Sequence, residues 1–437
     1  MSSKTNKVAG ASSSSEQQKR EHDAPSTCKT SLTPKLRFPE FRDAAGWEES
    51  RLADICSKIT QGGTPDTSEP KFWGGSINWM TPAEMGKTES PFIDATTRTI
   101  TESGLDNCSS YLLPIYSVIL SVRAPIGSLA INTTPMAINQ GCKGLITGNT
   151  LSFSFLYYSL INSKARLIDL GAGNTFKELS GSALKSYEIG LPSPPEQQKI
   201  AACLSSVDEV IAAQAQKLEA LKTHKKGLMQ QLFPREGETQ PRLRFPEFQD
   251  APEWGEKKLS SMVQLVSGTH LSPDQYGKEK GVPYFTGPSD FTNDIQSITK
   301  RTNESSGIAK ENDTLITVKG SGVGTIWYLT LFSIAMGRQL MAIRATDGVS
   351  RFVYQFLLTK KSRFGDLASG NLIPGLSRGD ILDLDAPITS TPEQQRVADC
   401  LTSLDNLISA QAQKLEALKT HKKGLMQQLF PSPEEEV

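Results

Sequence analysis

The residues that could do chemistry in this chain of 437 amino acids are few and poorly placed for it. Cys28, Cys56, Cys108, Cys142, Cys203 and Cys400 are scattered without the paired spacing of a metal site or a disulfide framework, and four histidines cannot complete a ligand set with them. His224 and His421 sit at lysine-rich helix ends and form no nucleophile–base pair. No Gly-x-x-x-x-Gly-Lys-Ser/Thr phosphate loop is present, and Gly320-Ser-Gly322-Val-Gly324 is a glycine turn inside a strand-like run. Pro65-Asp66 with Glu69 and Lys71 has the composition of a nuclease metal site. Its acids are too close in sequence to lie on two neighbouring strands, so the segment is expected to be a polar loop. The Asn/Asp-Pro-Pro motif used in amino-group methylation is missing as well, Ser193-Pro-Pro195 being a helix start. These residues describe a recognition or assembly protein rather than an enzyme.

Composition narrows the class further. The length suits about two to four domains, and 47 basic and 47 acidic side chains leave no net charge. Any basic footprint for nucleic acid must therefore be local. Scattered thiols fit a reducing cytosol. No apolar run approaches a membrane span, and the N-terminus lacks the apolar core of a secretion signal.

The elements that would position a site are set by repetition. Ala213–Pro234 returns without a change as Ala410–Pro431. Leu36-Arg-Phe-Pro-Glu-Phe41, followed by Asp43 and Trp47, returns as Leu243-Arg-Phe-Pro-Glu-Phe248 with Asp250 and Trp254. Each repeat thus opens on the hexapeptide and closes on the long constant segment. Residues 1–35 are expected to be a disordered polar tail and 432–437 an acidic one. Between them lie a first variable domain (36–190), a helix (191–234), a linker (235–242), a second variable domain (243–390) and a second helix (391–431).

Both constant segments extend upstream as helices. Apolar residues fall at Ile200, Leu204, Val207, Ile211, Leu218, Leu221, Leu228 and Leu232. The second helix repeats the stripe at Val397, Leu401, Leu404, Ile408, Leu415, Leu418, Leu425 and Leu429. Steps of four and three predict a coiled-coil seam, in which Gln214, Lys225, Gln411 and Lys422 are polar exceptions that fix register. An amphipathic core helix is the alternative. Ser193-Pro-Pro-Glu196 and Thr391-Pro-Glu-Gln394 supply capping starts, and Pro234 and Pro431 supply stops. Each helix would be roughly 55 Å long at 1.5 Å per residue.

The two middles have diverged but keep a common skeleton. Ile119–Ser128 aligns with Leu315–Gly324, Ala137–Ile146 with Ala335–Ile343, and Leu170–Asn174 with Leu367–Asn371. Short apolar runs between Gly, Pro, Asn and Ser clusters predict strands and turns, while Phe153–Leu160 and Arg351–Leu358 look helical. The fold class is accordingly α+β: two variable domains in tandem, each followed by a long helix.

A doubled unit of variable domain plus constant helix, ending Lys-Leu-Glu-Ala-Leu-Lys…Gly-Leu-Met-Gln-Gln-Leu-Phe, resembles the DNA-specificity subunit of type I restriction–modification systems. Gly62-Gly-Thr-Pro65…Phe72-Trp-Gly-Gly75…Trp79…Thr81-Pro82 is similar to one common class of target-recognition domain in that family. Gly268-Thr-His-Leu-Ser272 with Tyr284–Asp290 resembles another. The resemblance implies two target-recognition domains, each reading half of a split site in double-stranded DNA, and an antiparallel coiled coil of the constant helices. It further implies docking of two modification (methyltransferase) subunits and of restriction/motor subunits. S-adenosylmethionine and ATP would then sit on those partners, and this chain would need no cofactor of its own.

Arg and Lys read guanine, and Asn and Gln read adenine, by bidentate hydrogen bonds in the major groove. On the predicted turns of the first domain the candidates are Lys87, Arg98, Arg123, Asn139, Gln140, Lys143, Asn174 and Lys177. In the second they are His270, Lys300, Arg301, Lys319, Arg338, Gln339, Asn371 and Arg378. Arg123 and Lys319 stand out because they occupy equivalent places in strand-like runs. Trp73 and Trp79 would pack beneath such a surface. A different class of function is a coiled-coil scaffold presenting two protein-binding domains. The empty catalytic inventory carries a prediction of its own. Purified alone, the chain should transfer no methyl group and cut no DNA, and activity in a preparation proven free of other subunits would overturn this.

Overall fold

A computed structural model describes residues 32–85, 90–172, 178–304, 307–320, 322–369 and 375–431. They form two compact units. The first gathers the described residues up to 85, those from 92 to 202 and those from 425 on; the second gathers the described residues of 203–424 with 90–91.

In the first unit, Val118-Ile-Leu-Ser121 has no polar alternation and is buried on both faces, which places it inside a sheet. It pairs antiparallel with Cys142–Thr147 on one side and Leu129–Asn132 on the other; Cys56–Gln61 and Phe92–Ile93 complete the five strands. A second sheet joins Trp73–Met80 to Thr99–Ile100 and, in parallel, to Met136–Ile138. The helix Phe153–Asn162 starts on a Ser152 side-chain cap and buries Phe155, Leu156 and Leu160.

The second unit repeats this plan with different residues. Thr314–Thr317, again wholly buried, lies between Leu340–Ala345 and Ile326–Tyr328, with Val263–Ser267 at the edge. Val282–Phe285 pairs in parallel with Ser333–Met336, the counterpart of the first unit's parallel pair. Ser350–Thr359 is the matching helix.

The constant ends close each unit. In the first, Arg37 donates Nε and Nη2 to the two carboxylate oxygens of Glu196, both at 2.7 Å, with both side chains buried. In the second, Arg244 does the same to Glu393 at 2.7 and 2.8 Å. The carboxylate raises the pKa of each guanidinium. Burial would push the Glu393 carboxyl up, but Arg244 and Thr389 hold it below the usual carboxylate range. Such forked pairs fix geometry as well as charge. The hexapeptide also touches the end of a long helix. The Leu36 N–H donates to the Gln428 carbonyl at 2.9 Å, and the Leu243 N–H donates to the Gln231 carbonyl at 3.0 Å. Trp47 stands edge-on to Phe430 at 5.9 Å, and Trp254 to Phe233 at 6.3 Å.

The long helices run Pro194–Leu232 and Thr391–Leu429. Three polar contacts give their direction. The Gln214 Nε2 donates to Gln411 Oε1 at 2.5 Å, Lys225 pairs with Asp405 at 2.6 Å, and Lys422 pairs with Asp208 at 2.5 Å. As numbers rise on one helix they fall on the other, so the pair is antiparallel. The polar exceptions in the stripe are therefore matched. Side-by-side parallel pairing of the copies would instead set Lys225 against Lys422 and Asp208 against Asp405.

The structure corrects the sequence reading in two places. The stripe expected to be one continuous seam is divided. Val207, Ile211, Leu218, Ile408, Leu415 and Leu418 pack helix on helix, with Ala215 and Ala412 between them. Val397, Leu401, Leu228 and Leu232 belong instead to the second unit's core with Phe352 and Phe356. Ile200, Leu204 and Leu429 are also buried, and Leu221, Leu404 and Leu425 are half-buried. The coiled-coil reading describes the middle and the core-helix alternative describes the ends, because there a sheet-bearing domain offers more apolar surface than a single helix. Second, the N-terminal tail drawn to residue 35 ends earlier. The Leu32 carbonyl accepts from the Trp47 N–H at 2.7 Å, and residues 1–31 lie outside the described residues. Within the linker Arg242 pairs with Glu238, and the Thr239 carbonyl accepts from the Trp254 N–H.

The buried polar layer generates a test. Side chains of Lys422 and Asp208 are 17% and 8% exposed. Lys422→Ala should destabilise the fold by about 3 kcal/mol by removing the ammonium that pairs with a buried carboxylate. Combining Lys422→Met with Asp208→Leu should recover most of that loss. Guanidinium unfolding midpoints measure both, and an unchanged midpoint for the single variant would remove the layer's role.

Candidate nucleic-acid interface

Five strand ends in each unit are bound together by main-chain hydrogen bonds. In the first unit Gly62 N–H donates to Cys142 O, Gly63 to Ile138, Asn139 to Met80, Val122 to Gly141 and Leu179 to Val122, at 2.8–3.3 Å. In the second, Gly268 donates to Leu340, Thr269 to Met336, Gly337 to Phe285, Val318 to Gln339 and Leu376 to Val318, at 2.7–3.0 Å. The two sets match bond for bond. A glycine is required where the frame is tightest: a Cβ at Gly62 would lie 1.9 Å from the Asn139 carbonyl oxygen, and one at Gly268 would lie 2.1 Å from that of Gly337. One constant frame therefore holds the loop tips, on which the two repeats carry different side chains.

On the first unit's tips, Asn139 and Gln140 are brought together with Thr64. Asn139 Nδ2 donates to Thr64 Oγ1 at 3.0 Å and to Gln140 Oε1 at 2.9 Å, and the Thr64 hydroxyl donates to Gln140 Oε1. The Gly141 N–H donates to Asn139 Oδ1 at 2.8 Å. These bonds hold both carboxamides and engage the Gln140 Oε1, while the Gln140 side chain as a whole stays exposed. Arg123 pairs with Glu178 at 3.0 Å, half-exposed. Lys143 is half-buried on the strand that follows the Asn139–Gly141 turn. Arg98 is turned to packing, its guanidinium 3.8 Å from the Trp73 ring centre. Trp79 is buried and donates Nε1 to the Gly63 carbonyl at 2.9 Å, supporting the frame from below.

On the second unit's tips, His270, Lys319, Arg338 and Gln339 are exposed. The Gln339 side-chain oxygen lies over Gly287 and Gly320, 2.9 and 3.6 Å from where a Cβ would stand on each. Lys319 forms the bridge to Gly375 that Arg123 forms to Glu178. Three of the other candidates are engaged within the domain. Lys300 donates to Thr286 Oγ1 at 2.9 Å and to Asp290 at 3.1 Å. Arg301 donates to the Gly281 carbonyl at 3.2 Å, and Arg378 to Ser267 Oγ at 3.0 Å. Burial would raise the Asp290 carboxyl, but Thr286 and Lys300 hold it low. Lys87, Asn174, Lys177 and Asn371 lie outside the described residues.

Sequence reasoning missed Thr64, which orders the amide pair, and the acid that claims Lys300. The glycine directly after the first strand of each sheet, Gly62 and Gly268, was the available signal for the frame. The nuclease-like segment is a loop in which Asp66 accepts from Ser68 N–H and Oγ at 2.9 and 2.7 Å. Among the described residues no His, Cys, Asp or Glu cluster could hold a metal ion, and no helix is long and apolar enough to cross a membrane.

Fold and loop edge together define a tandem recognition protein, built from two copies of one domain with paired helices. Comparison with known proteins names the family. The type I restriction modification DNA specificity domain matches residues 45–223 and again 252–420, and the chain belongs to that family. It is 39% identical over 178 residues to the type I restriction enzyme MjaIX specificity subunit of Methanocaldococcus jannaschii, a match spanning 40% of this chain and 41% of that one. A putative MjaX specificity subunit of the same organism is 26% identical over 409 residues, 88% of this chain and 92% of the relative. The crystal structure of a type I restriction–modification S subunit from M. genitalium shares the fold at a TM-score of 0.61 and 18% identity, covering 92% of this chain and all of that one. A structure titled for complex assembly and conformational transition of the type I system follows at 0.55 and 18%, covering 89% and 98%. The DNA specificity assignment displaces the protein-scaffold alternative.

Because Gln140 is held by neighbours rather than by the core, Gln140→Ala should fold normally. It should lose about 1–3 kcal/mol of discrimination at one base pair. Binding to duplexes substituted base by base measures this, and unchanged discrimination at every position would exclude Gln140 from readout.

Proposed function

We propose that this chain reads a bipartite DNA target, one half with each repeat, and directs adenine methylation and restriction performed by partner subunits. The observation that carries this reading is the matched frame with unmatched tips. Thr64, Asn139, Gln140, Gly141 and Arg123 stand where the second repeat carries His270, Gly337, Arg338, Gln339 and Lys319. A sequence code needs side chains that change on a backbone that does not, since base edges are told apart by donor and acceptor placement. Two unlike tips suit two unlike half-sites.

The constant helices support partner docking. In the second unit a groove of 1240 Å³ is lined by Lys222, Lys226, Met229 and Gln230 of the first long helix and by Phe233 just past its end, with Leu358 and Lys361 opposite. These five residues of the constant segment recur as Lys419, Lys423, Met426, Gln427 and Phe430. Identical residues in both copies suit two identical partners, the modification subunits, with motor subunits joining that assembly. S-adenosylmethionine and ATP belong to those partners, and this chain works without catalysis or cofactor in the cytoplasm. The reading has a direct test. Exchanging residues 48–190 for another domain of the first type should change one half of the methylated site, leaving the other half intact. Methylome sequencing reads the outcome, and a simultaneous change of both halves would refute independent readers.

A further inference from the structure

The first unit's frame edge carries a cationic cavity that the recognition loops do not use. It measures 420 Å³ and is lined by Thr60, Gln61, Lys143, Ser182 and Lys185 among others. Gln61 and Lys143 are register partners on neighbouring strands, one residue away from the Gly62–Cys142 frame bond. The Lys143 ammonium lies over Gly181, 3.9 Å from where a Cβ would stand, and so faces the short helix that carries Lys185. Neither ammonium has a hydrogen-bond or ion-pair partner among the described residues. The neighbouring acid, Glu178, is already paired with Arg123. Burial lowers the Lys143 pKa; Glu178 opposes that, and Arg123 and Lys185 add to it. Two positive charges thus share a concave site in which, among the described residues, neither makes an ion pair.

The second repeat has no such surplus. There Arg378 spans from its helix to the strand, donating to Ser267 Oγ and to the Leu265 carbonyl at 3.3 Å. Ser267 and Leu265 are the counterparts of Gln61 and Ile59 in the matched sheets. An internal contact occupies the place that stands open in the first repeat.

We propose that this cavity seats a backbone phosphodiester of the bound duplex, with Lys143 and Lys185 as its cationic clamp and the Ser182 hydroxyl as a further donor. The proposal rests on the DNA-recognition reading above. A lysine ammonium is a compact point charge that suits a phosphate oxygen without reading a base. The carboxamides suited to base edges, Asn139 and Gln140, lie on the adjoining turn. The clamp would set the register in which they meet the groove, and it makes the first repeat more dependent on salt than the second.

The test uses the full chain, alone or with the subunits that co-purify with it, and a duplex carrying the motif methylated in cells. Lys143→Ala and Lys185→Ala should each make the slope of log Kobs against log salt shallower by about 0.9, and the double variant by about 1.8. The preferred base sequence should stay the same. Lys185 is exposed, so Lys185→Ala carries the test if Lys143→Ala fails to fold. A scan of single methylphosphonate linkages supplies the second arm. The unaltered chain should lose affinity at one or two linkages, and the double variant should be indifferent to the same ones. Folded variants with unchanged slope would overturn the clamp, as would an altered base preference at unchanged slope. Absence of salt-dependent duplex binding by the unaltered chain would overturn the recognition reading, and the clamp with it.

Discussion

Two helices that carry the same residues must find a pairing in which a sequence is complementary to itself. Apolar positions do not decide this, since leucine meets leucine equally well in either direction. The polar layer does. Parallel copies in register would confront ammonium with ammonium and carboxylate with carboxylate in a half-buried seam, whereas antiparallel copies give Lys225 to Asp405 and Lys422 to Asp208. Gln214 meets its own counterpart Gln411, which satisfies a carboxamide because it is both donor and acceptor. Buried ion pairs add little net stability against apolar replacements, but unmatched ones are expensive. The layer therefore acts by excluding alternatives. It also gives both copies the same partner types across the seam, so nothing in the pairing requires them to diverge.

What the helices hold constant, the Arg–Glu pairs extend into each domain. Arg37 with Glu196, and Arg244 with Glu393, tie the opening hexapeptide to the start of a helix, while its main chain meets the end of a helix through Leu36 and Gln428 or Leu243 and Gln231. Aromatic edges, Trp47 on Phe430 and Trp254 on Phe233, fill the space between them. The constant parts of the sequence are thus in contact with one another. That leaves the residues between them free to change, subject to the frame that joins the strand ends.

Much of this plan was legible from residue order. Repetition located the constant ends, and cap and stop residues placed the long helices within a few positions of Pro194–Leu232 and Thr391–Leu429. Periodicity also found Phe153–Asn162 and Ser350–Thr359. It could not say that the seam would be shared between a coiled coil and two domain cores, because burial against a helix and burial against a sheet leave the same apolar stripe. Lys225 and Lys422 stood out as exceptions, yet Asp208 and Asp405 did not, since pairing across the copies depends on direction. The site was less legible for a related reason. Whether a lysine makes no ion pair among the described residues, like Lys143, or is claimed, like Lys300, depends on acids that the fold brings near, and Asp290 reaches Lys300 through a turn.

The two tips also differ in how much order they possess before any ligand arrives. In the first repeat a hydroxyl and two carboxamides bond to one another, so the rotamers of Asn139 and Gln140 are already chosen. Fixing a long polar side chain costs conformational entropy, up to about 2 kcal/mol for glutamine or arginine, and here the network has met part of that cost during folding. In the second repeat Arg338 and Lys319 extend from the same frame as exposed side chains. Ordering them must be met from the contacts they make. A preformed amide cluster rejects a mismatched partner sharply, because its donors and acceptors cannot turn to suit it. Long cations tolerate more geometries and gain more from charge. One backbone frame thereby supports two physically different ways of meeting a surface, and the difference lies wholly in the side chains on its loops.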